Sequence, residues 1–363
     1  MSPNLSADDL VWRGQMQRSI TSLDALEHHL NLSEAERAGI RHAMSQGFPM
    51  AITPYYLSLC DRDDTSCPVR QQCVPVLQEQ QDAAGDMRDP LGEEDHEVAP
   101  HLVQRYPDRV LMLVHSRCAV YCRFCTRSRM VGQEGGARSL DTLEPAFQWL
   151  KEHPEINDVI LSGGDPLMLS DARLHAILSK LATIEHIVTV RIGTRLPVTL
   201  PQRITATLCK TLRTHPSTWV MTHFNHPKEL TPEAQRACSS LADHGIPVMN
   251  QSVLLRGIND HAATLSTLFR GLVRWRVRPY YLLQADTVRG TAHLRTPLDT
   301  GIELMNQLQG HLSGIALPKF IVDTPGGFGK VALTPNVIQA RKPGVTTLRT
   351  YRGVDVDYID PPS

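Results

Sequence analysis

The chain has 363 residues, of which 41% are hydrophobic, and its 37 Lys and Arg against 38 Asp and Glu give a formal net charge of -1. A chain of this size can bury a full core, either as two ordinary domains or as one α/β barrel with extensions. The balanced charge provides no overall field for nucleic acid or an anionic membrane surface, and no eighteen apolar residues run together, so a small-molecule partner is expected. The first residues show no basic stretch followed by an apolar core, so the sequence predicts a cytoplasmic protein.

Residues 1–104 are polar and follow a helical period, which predicts an N-terminal helical extension. Helices are predicted at 22–30 and 33–45, where serine precedes an amphipathic run. An acidic, proline-containing stretch, DPLGEEDHEVAP, then separates this region from the rest of the chain.

From residue 105 onward, short aliphatic or β-branched runs alternate with amphipathic stretches of helical period. Six such runs begin at Val110, Asp158, Ile187, Thr218, Ile246 and Pro279. Six strand-helix units in series predict a parallel sheet covered by helices, as an open doubly wound sheet or as a barrel. Polar residues follow these runs where a barrel carries its functional groups: 116–125, 162–165, 223–226, Asn250 with Gln251, and Asp286.

Three of the eight cysteines form a CxxxCxxC motif directly after the first of these strands. Cys118, Cys122 and Cys125 can hold three irons of a 4Fe-4S cluster and leave the fourth iron open. A zinc site completed by a distant residue is the alternative, but zinc motifs usually come as two ligand pairs, and the chain has no second pair. The other five are interpreted as structural or incidental thiols: Cys60, Cys67, Cys73, Cys209 and Cys238.

The string YPDRVLMLVHSRCAVYCRFCTRSRMVG around this motif resembles the lysine 2,3-aminomutase family of radical S-adenosylmethionine (SAM) enzymes. The resemblance extends from about Tyr55 to about Thr347. It implies an α/β fold, a partial (β/α)6 TIM-like barrel of the radical SAM type, with the extension at 1–104, the core barrel at 105–316, and a C-terminal pyridoxal phosphate (PLP) lysine segment and tail at 317–363. It also implies that the open iron binds SAM and that an electron from the cluster releases a 5'-deoxyadenosyl radical.

Other loops after the strands supply candidate cofactor-binding residues. In LSGGDPLM, Gly163 and Gly164 let the backbone approach a ligand and offer N–H groups, and with Asp165 they resemble the family motif that grips the SAM amino group. Later strands carry four further candidates, for each of which internal hydrogen bonding is an equally good interpretation: His223, Asn225, Asn250 and Gln251.

A lysine after a glycine run is the predicted anchor of PLP. Lys330, in LPKFIVDTPGGFGKVALTPN, resembles the PLP lysine segment of the family, and a lysine amine can form a Schiff base with that coenzyme. Arg105 and Arg109 are four residues apart and are predicted to clamp the phosphate, with Tyr106 near the ring. Surface salt bridging is the alternative for both arginines.

Three charged residues bear on the substrate. Arg127 matches the family arginine that pairs with the substrate α-carboxylate. Asp286 and Asp323 match carboxylates that receive the distal ammonium in lysine-specific members, and two fixed negative charges favour a cation over an anion. Lysine is therefore the leading substrate; arginine also fits the charges, and helix capping or loop hydrogen bonding is an alternative role for each aspartate.

The reaction that the resemblance implies converts L-lysine to β-lysine. A 5'-deoxyadenosyl radical removes a β-hydrogen, the amino group migrates on a PLP aldimine, and hydrogen returns from 5'-deoxyadenosine. A reductant protein such as flavodoxin or ferredoxin and a homo-oligomer are the expected partners. Rival hypotheses are a radical SAM enzyme without PLP and a non-catalytic metal-binding module.

The sequence departs from longer family members in three ways. It has no cysteine after Cys238, and His261 stands where those members have a zinc-binding cysteine, so no structural zinc is predicted. Leu283 replaces an aromatic residue found near the coenzyme in some relatives. Short chains of this kind resemble the branch that serves β-lysylation of translation elongation factor P, which is an alternative role.

Overall fold

The N-terminal region folds into short helices. The computed structural model describes residues 7–45, 47–132 and 135–361. The helices of the extension are α1 (Ala7–Gln17), α2 (Leu23–Glu27), α3 (Glu34–Ser45) and α4 (Pro54–Leu57). The predicted helices at 22–30 and 33–45 are present as α2 and α3. Serine caps explain both starts, since Ser22 accepts from the Ala25 N–H and Ser33 accepts from the Glu36 N–H.

One sheet of ten strands holds the rest of the chain together. Its strands are β1 (Glu97–Ala99), β2 (Leu102–Tyr106), β3 (Arg109–His115), β4 (Asp158–Gly163), β5 (Thr189–Gly193), β6 (Thr218–Thr222), β7 (Val248–Leu254), β8 (Val277–Gln284), β9 (Lys319–Asp323) and β10 (Lys330–Leu333). They lie in sequence order, parallel from β3 to β9 and antiparallel at both edges. Within the described part of the chain β1 does not pair with β10, so the barrel is partial.

Helices connect the parallel strands and cover the outer face of the sheet. They are α5 (Leu140–Glu152), α6 (Asp171–Ala182), α7 (Leu196–Thr199), α8 (Ala206–Leu212), α9 (Pro232–Asp243), α10 (Ala262–Arg274) and α11 (Leu298–Leu308). In α10 the residues Leu265, Leu268, Phe269 and Leu272 are all fully buried, which is one face of a helix. None of the described helices has the length and apolar character needed to cross a membrane.

The predicted (β/α)6 barrel is confirmed, because each of the six apolar runs overlaps one of the strands β3 to β8. A seventh parallel strand, β9, was not predicted and pairs with β8 through Leu283 and Ile321. The sheet therefore continues past residue 317, where the sequence predicted a separate segment. Beyond it, β11 (Ile338–Lys342), β12 (Val345–Arg349) and β13 (Asp355–Ile359) form a second, antiparallel sheet.

The N-terminal extension packs directly on the cysteine loop. The Tyr121 N–H donates to the Ala51 carbonyl at 3.0 Å, and the Arg123 N–H donates to the Gln72 carbonyl at 2.9 Å. The Arg123 guanidinium is buried and donates to Glu79, with Nε–Oε1 at 2.9 Å. The extension is thus part of the wall around the predicted cluster, although sequence periodicity indicated only a polar helical segment.

Candidate active site

A cavity of about 800 Å³ lies inside the partial barrel and collects most of the predicted coenzyme and substrate residues. Its walls come from β2 to β10 and from the segment before β1. Seven of the residues selected from the sequence line it: Arg105, Tyr106, Arg109, Arg127, Gln251, Asp323 and Lys330. A pocket of this size, with convergent polar groups in an apolar frame, suits a small molecule together with a coenzyme.

Lys330 enters this cavity beside an acid. Antiparallel pairing of β9 and β10 sets Lys330 opposite Asp323, and the Lys330 amine contacts one oxygen of the Asp323 carboxylate. The Arg105 guanidinium contacts the other oxygen. The backbone N–H of Lys330 donates to the Tyr106 hydroxyl at 2.8 Å. Asp323, predicted to receive the substrate ammonium, therefore already holds an ammonium group, that of Lys330.

Asp286 is the second acid near this point. Burial and, after it, the negative charge of Asp323 raise the pKa of Asp286 to about 7, although Lys330 and Arg105 oppose the shift. The two aspartates that the sequence selected are therefore close enough for the charge of Asp323 to act on Asp286.

Arg127 is held by an acid that the sequence analysis missed. The Arg127 Nε and Nη2 atoms donate to Glu93 at 2.9 and 2.7 Å, and Nη1 donates to the Ser162 hydroxyl at 3.1 Å. Glu93 also accepts from Arg129 and is only 3% exposed. Burial opposes its charge, but the two arginines lower the pKa of Glu93, so it is ionised. Glu93 lies in the acidic run DPLGEEDHE, which was interpreted only as the boundary between the N-terminal extension and the rest of the chain.

The two arginines predicted to clamp the phosphate, Arg105 and Arg109, differ in their present partners. Arg109 stacks on the Tyr106 ring at 3.7 Å from the ring centroid and pairs with Asp108 at 2.8 Å. Arg105 lies deeper, and its guanidinium donates to the Asp323 carboxylate and to the Leu91 carbonyl. Of the two arginines, Arg109 is therefore the more accessible to an incoming anion.

Two stacked tyrosines form an apolar wall that the sequence analysis also missed. Tyr280 and Tyr281 lie in β8, line the cavity and stack with ring centroids 3.7 Å apart. Their hydroxyls are joined by a hydrogen bond of 2.6 Å. The run PYYLLQAD was used only to predict a strand. Successive side chains of a regular strand point to opposite faces, and the pairing of β7 with β8 shifts register at this point, so the sequence pattern could not place both rings on the cavity. Leu283, predicted to alter the coenzyme contacts, lies two residues further along the same strand.

The three motif cysteines follow β3 and are partly exposed. Burial raises the pKa of Cys118 and Cys125, and the other motif sulfurs add to the shift, so the three thiols form one electrostatic group. Across the described residues, no three His, Cys, Asp or Glu side chains are grouped to hold a single metal ion. A 4Fe-4S cluster needs no such convergence, because each thiolate binds a different iron. The chemistry of this donor set fits the cluster.

The glycine motif packs the ends of β3 and β4 closely together. Gly163 has φ +122°, and a Cβ on it would lie 2.2 Å from the His115 carbonyl oxygen. The Gly164 and Asp165 N–H groups donate to the carbonyls of His115 and Arg117 at 2.6 and 2.9 Å. Tight packing of two strand ends thus takes up the Gly164 N–H, and contact of the motif with SAM stays a prediction.

Asp165 likewise binds its own chain. Its carboxylate accepts from the Thr194 hydroxyl at 2.8 Å, from the Arg195 N–H at 2.7 Å and from the Leu167 N–H at 3.0 Å. Burial raises the pKa of Asp165 to about 6, although these three donors oppose the shift. The residue joins the loops after β4 and β5 and fixes the position of Arg195.

The polar residues of later strands separate into two groups. Gln251 lines the cavity, whereas His223, whose pKa burial lowers to about 3, is neutral and donates from Nε2 to the Asn225 Oδ1 atom. Asn225 and Asn250 are fully buried, and internal hydrogen bonds use both polar atoms of each side chain. For these two asparagines the structure favours the internal interpretation over direct cofactor contact.

Comparison with known proteins assigns the family. The radical SAM superfamily matches residues 112–267, and the family described as Lysine-2,3-aminomutase matches residues 305–363. L-lysine 2,3-aminomutase of Fusobacterium nucleatum is 45% identical over 99% of this chain and 84% of its own length. The chain belongs to the lysine 2,3-aminomutase family. The resemblance inferred from the cysteine motif is confirmed, and membership sets aside a non-catalytic metal-binding module.

Other relatives show how the family divides by substrate. L-lysine 2,3-aminomutase of Clostridium subterminale is 44% identical over 98% of this chain and 85% of its own. Glutamate 2,3-aminomutase of Clostridioides difficile is 40% identical over 97% and 83%. Among solved structures, a radical SAM methyltransferase from Sphaerobacter thermophilus covers 61% of this chain and 68% of its own, with a TM-score of 0.44 and 19% identity. Radical SAM membership implies a 4Fe-4S cluster and SAM.

Proposed function

We propose that this protein converts L-lysine to β-lysine by moving the α-amino group to the neighbouring carbon. The observation that carries the proposal is the content of the cavity in the barrel. Lys330, the acid Asp323 and the arginine Arg127 line one space of about 800 Å³. A coenzyme-binding amine, an acceptor for a cation and a cation for a carboxylate are the three groups that an amino acid mutase acting on lysine needs there.

The cofactors are proposed to divide the site between them. Cys118, Cys122 and Cys125 would hold the cluster, which together with SAM supplies a 5'-deoxyadenosyl radical. Lys330 would hold PLP, and Arg109 and Tyr106 would receive its phosphate and ring. The stacked tyrosines of β8 then provide an apolar wall that excludes water from the reacting carbons.

The charge of the cavity supports a basic substrate. Asp323 already accepts the Lys330 ammonium, so the same carboxylate can accept the ammonium of a substrate once the Lys330 amine is bound elsewhere. Asp286 adds a second negative charge above its pKa of about 7. An anionic side chain such as that of glutamate would meet repulsion from both acids, whereas lysine would be attracted.

Arg127 is proposed to bind the other end of the substrate. Glu93 occupies the Nε and Nη2 edge of its guanidinium, which fixes the plane of the group. The Nη1 atom points to Ser162, a residue that also lines the cavity. Glu93 thereby positions Arg127 so that its remaining edge can receive the α-carboxylate.

A substrate panel tests the proposal. The protein is purified without oxygen, reconstituted with iron, sulfide and PLP, reduced in the presence of SAM, and incubated separately with lysine, arginine and glutamate. Chromatography is expected to show β-lysine from lysine and no β-isomer from glutamate. A β-isomer from arginine or glutamate but not from lysine would contradict the assignment of substrate.

Partners and cellular role are proposed more generally. A flavodoxin or ferredoxin would supply the electron, and a homo-oligomer is expected; size-exclusion chromatography with light scattering tests the latter. Service to β-lysylation of translation elongation factor P competes with supply of free β-lysine for metabolism as the role of the product.

A further inference from the structure

Arg195 is the guanidinium that reaches the cysteine loop. It lies just past the end of β5 and immediately before α7, and it is 8% exposed. Its Nη1 atom donates to the Cys122 sulfur at 2.8 Å. The Phe124 ring packs on the guanidinium at 5.4 Å from the ring centroid. The sequence does not single out this arginine, because it follows a strand whose loop carries no recognisable motif.

The remaining nitrogens of Arg195 are all fixed by other groups. Nη2 donates to Tyr56, Gln72 and Glu229 at 3.0, 2.5 and 2.7 Å, and Nε donates to the His223 carbonyl at 3.2 Å. An arginine guanidinium stays protonated in proteins, and here the fully buried Glu229 carboxylate lies against it. This donor has one orientation and cannot leave Cys122 without breaking several buried contacts.

We propose that Arg195 is a positioning residue that sets the reduction potential of the cluster through its hydrogen bond to Cys122. Reduction adds a negative charge to a cluster that three thiolates already make anionic. A fixed cation and an N–H donor at one sulfur stabilise that added charge and raise the potential. This role rests on the proposed function only in that Cys122 binds the cluster.

The N-terminal extension takes part in this arrangement. Two of the groups that fix Arg195 are Tyr56, at α4, and Gln72, next to the cysteine loop, and both belong to residues 1–104. The buried carboxylate of Glu229 accepts from the Tyr56 hydroxyl at 2.7 Å as well as from Arg195. The extension thus holds the electrostatic environment of the cluster and does not merely cover it.

The test is a redox titration of reconstituted protein followed by electron paramagnetic resonance. Arg195→Lys keeps a positive charge but loses the fork of donors, and Arg195→Gln removes the charge. Arg70→Lys is the matched control, because Arg70 is also fully buried and paired with a carboxylate, Glu36, but contacts no motif cysteine. Iron content, expected at about four per chain, and the unfolding temperature are measured for each protein.

Arg195→Gln is expected to lower the equilibrium constant for one-electron reduction at least tenfold, a shift of about 59 mV to more negative potential. Arg195→Lys should show a smaller shift of the same sign, and Arg70→Lys none. An unchanged potential in Arg195→Gln at full iron content, or an equal shift in Arg70→Lys, would overturn the proposal. A wild-type protein that assembles no cluster would instead contradict the proposed function.

A second measurement needs no variant, so it decides the matter even where a substitution prevents folding. Wild-type protein is made with arginine labelled with ¹⁵N in the guanidinium, and the reduced cluster is studied by pulsed electron paramagnetic resonance. The hydrogen bond predicts a ¹⁵N coupling to the cluster together with an exchangeable proton. Absence of both would overturn the contact between Arg195 and Cys122.

Discussion

Two aspartates illustrate what single residues contribute to this site. Asp286 and Asp323 were selected from the sequence as a pair that favours a cation, and the structure couples them electrostatically. Their partners could not be predicted, because the contact of Asp323 with Lys330 and Arg105 depends on the register of β9 and β10 and on the fold around β2. Glu93 was missed for the same reason, since nothing in a run of acids shows which of them faces Arg127.

Asp286 predicts a pH dependence of lysine binding. Its pKa is raised, mainly by burial, to about 7, so the carboxylate is neutral below that pH and charged above it. The lysine KM should therefore fall as the pH rises through about 7. The ammonium of lysine itself titrates near 10, so it does not account for such a step.

Asp286→Asn should raise the lysine KM about 10- to 100-fold at pH 8, as expected for loss of about 1.5–3 kcal/mol from a hydrogen bond to a charged group. It should also abolish the step near pH 7. Cleavage of SAM in the absence of lysine is the control reaction and should change little. A variant that keeps the step would show that another group titrates.

Lys330 predicts where PLP is attached. Lys330→Ala should abolish both the visible absorbance of lysine-bound PLP and the formation of β-lysine, while the iron content stays at the wild-type level. Lys319→Ala is the matched control, because Lys319 is an exposed lysine at the start of the neighbouring strand β9. Retention of the absorbance in Lys330→Ala, or its loss in Lys319→Ala, would contradict the assignment.

At the scale of elements, the strands that the sequence predicted were those with continuous apolar runs. In β3 to β8 one face is buried and the other is buried or partly buried along the cavity, with no fully exposed position. Such strands carry continuous apolar runs, so they could be predicted without an alternating pattern. β9 was missed because KFIVD was interpreted as part of the lysine segment. β11 to β13 were missed because they are largely exposed and polar, so they lack the apolar pattern that indicates a strand.

Close packing between the ends of β3 and β4 predicts that one added methyl group destabilises the protein strongly. Gly163→Ala combines a left-handed φ of +122° with a Cβ 2.2 Å from the His115 carbonyl. It should destabilise the protein by about 3 kcal/mol, from backbone strain and overlap together. Gly245→Ala is the control, because Gly245 also has positive φ, +75°, but no atom lies within 4 Å of its Cβ position.

Denaturant unfolding of the two glycine variants is the measurement. Gly245→Ala should cost only about 1 kcal/mol, the conformational part alone. Similar losses of unfolding free energy in both variants would mean that the contact with His115 relaxes without cost. Close packing would then not be the reason for a glycine at position 163.

At the scale of the whole molecule, the extension and the barrel form one site. Sequence periodicity separated residues 1–104 from the core, but β1 (Glu97–Ala99) and most of β2 (Leu102–Tyr106) lie in that range and belong to the main sheet. Contacts of Ala51 and Gln72 with the cysteine loop are backbone hydrogen bonds, and a sequence pattern carries no information about which backbone groups meet across a fold.

Glu79 predicts that the extension stabilises the cluster loop. Glu79→Ala leaves the buried Arg123 without its carboxylate, and breaking a buried pair in this way costs about 3–5 kcal/mol. Both the unfolding temperature and the iron retained after gel filtration should fall. Glu34→Ala, in an exposed pair with Arg37, is the control and should change neither. Normal iron retention in Glu79→Ala would show that the loop is held without the extension.

Migration of the α-amino group to the β-carbon is tested most directly by following the nitrogen atom. Reduced, reconstituted enzyme is incubated with SAM and lysine labelled with ¹⁵N at the α-amino group and ¹³C at the β-carbon, and the product is studied by nuclear magnetic resonance. We expect a new ¹³C–¹⁵N coupling, because the labelled nitrogen becomes bonded to the β-carbon, and no such coupling with Lys330→Ala. Product in which the β-carbon bears no ¹⁵N, or label that stays on the α-carbon while SAM is cleaved, would contradict migration of the amino group.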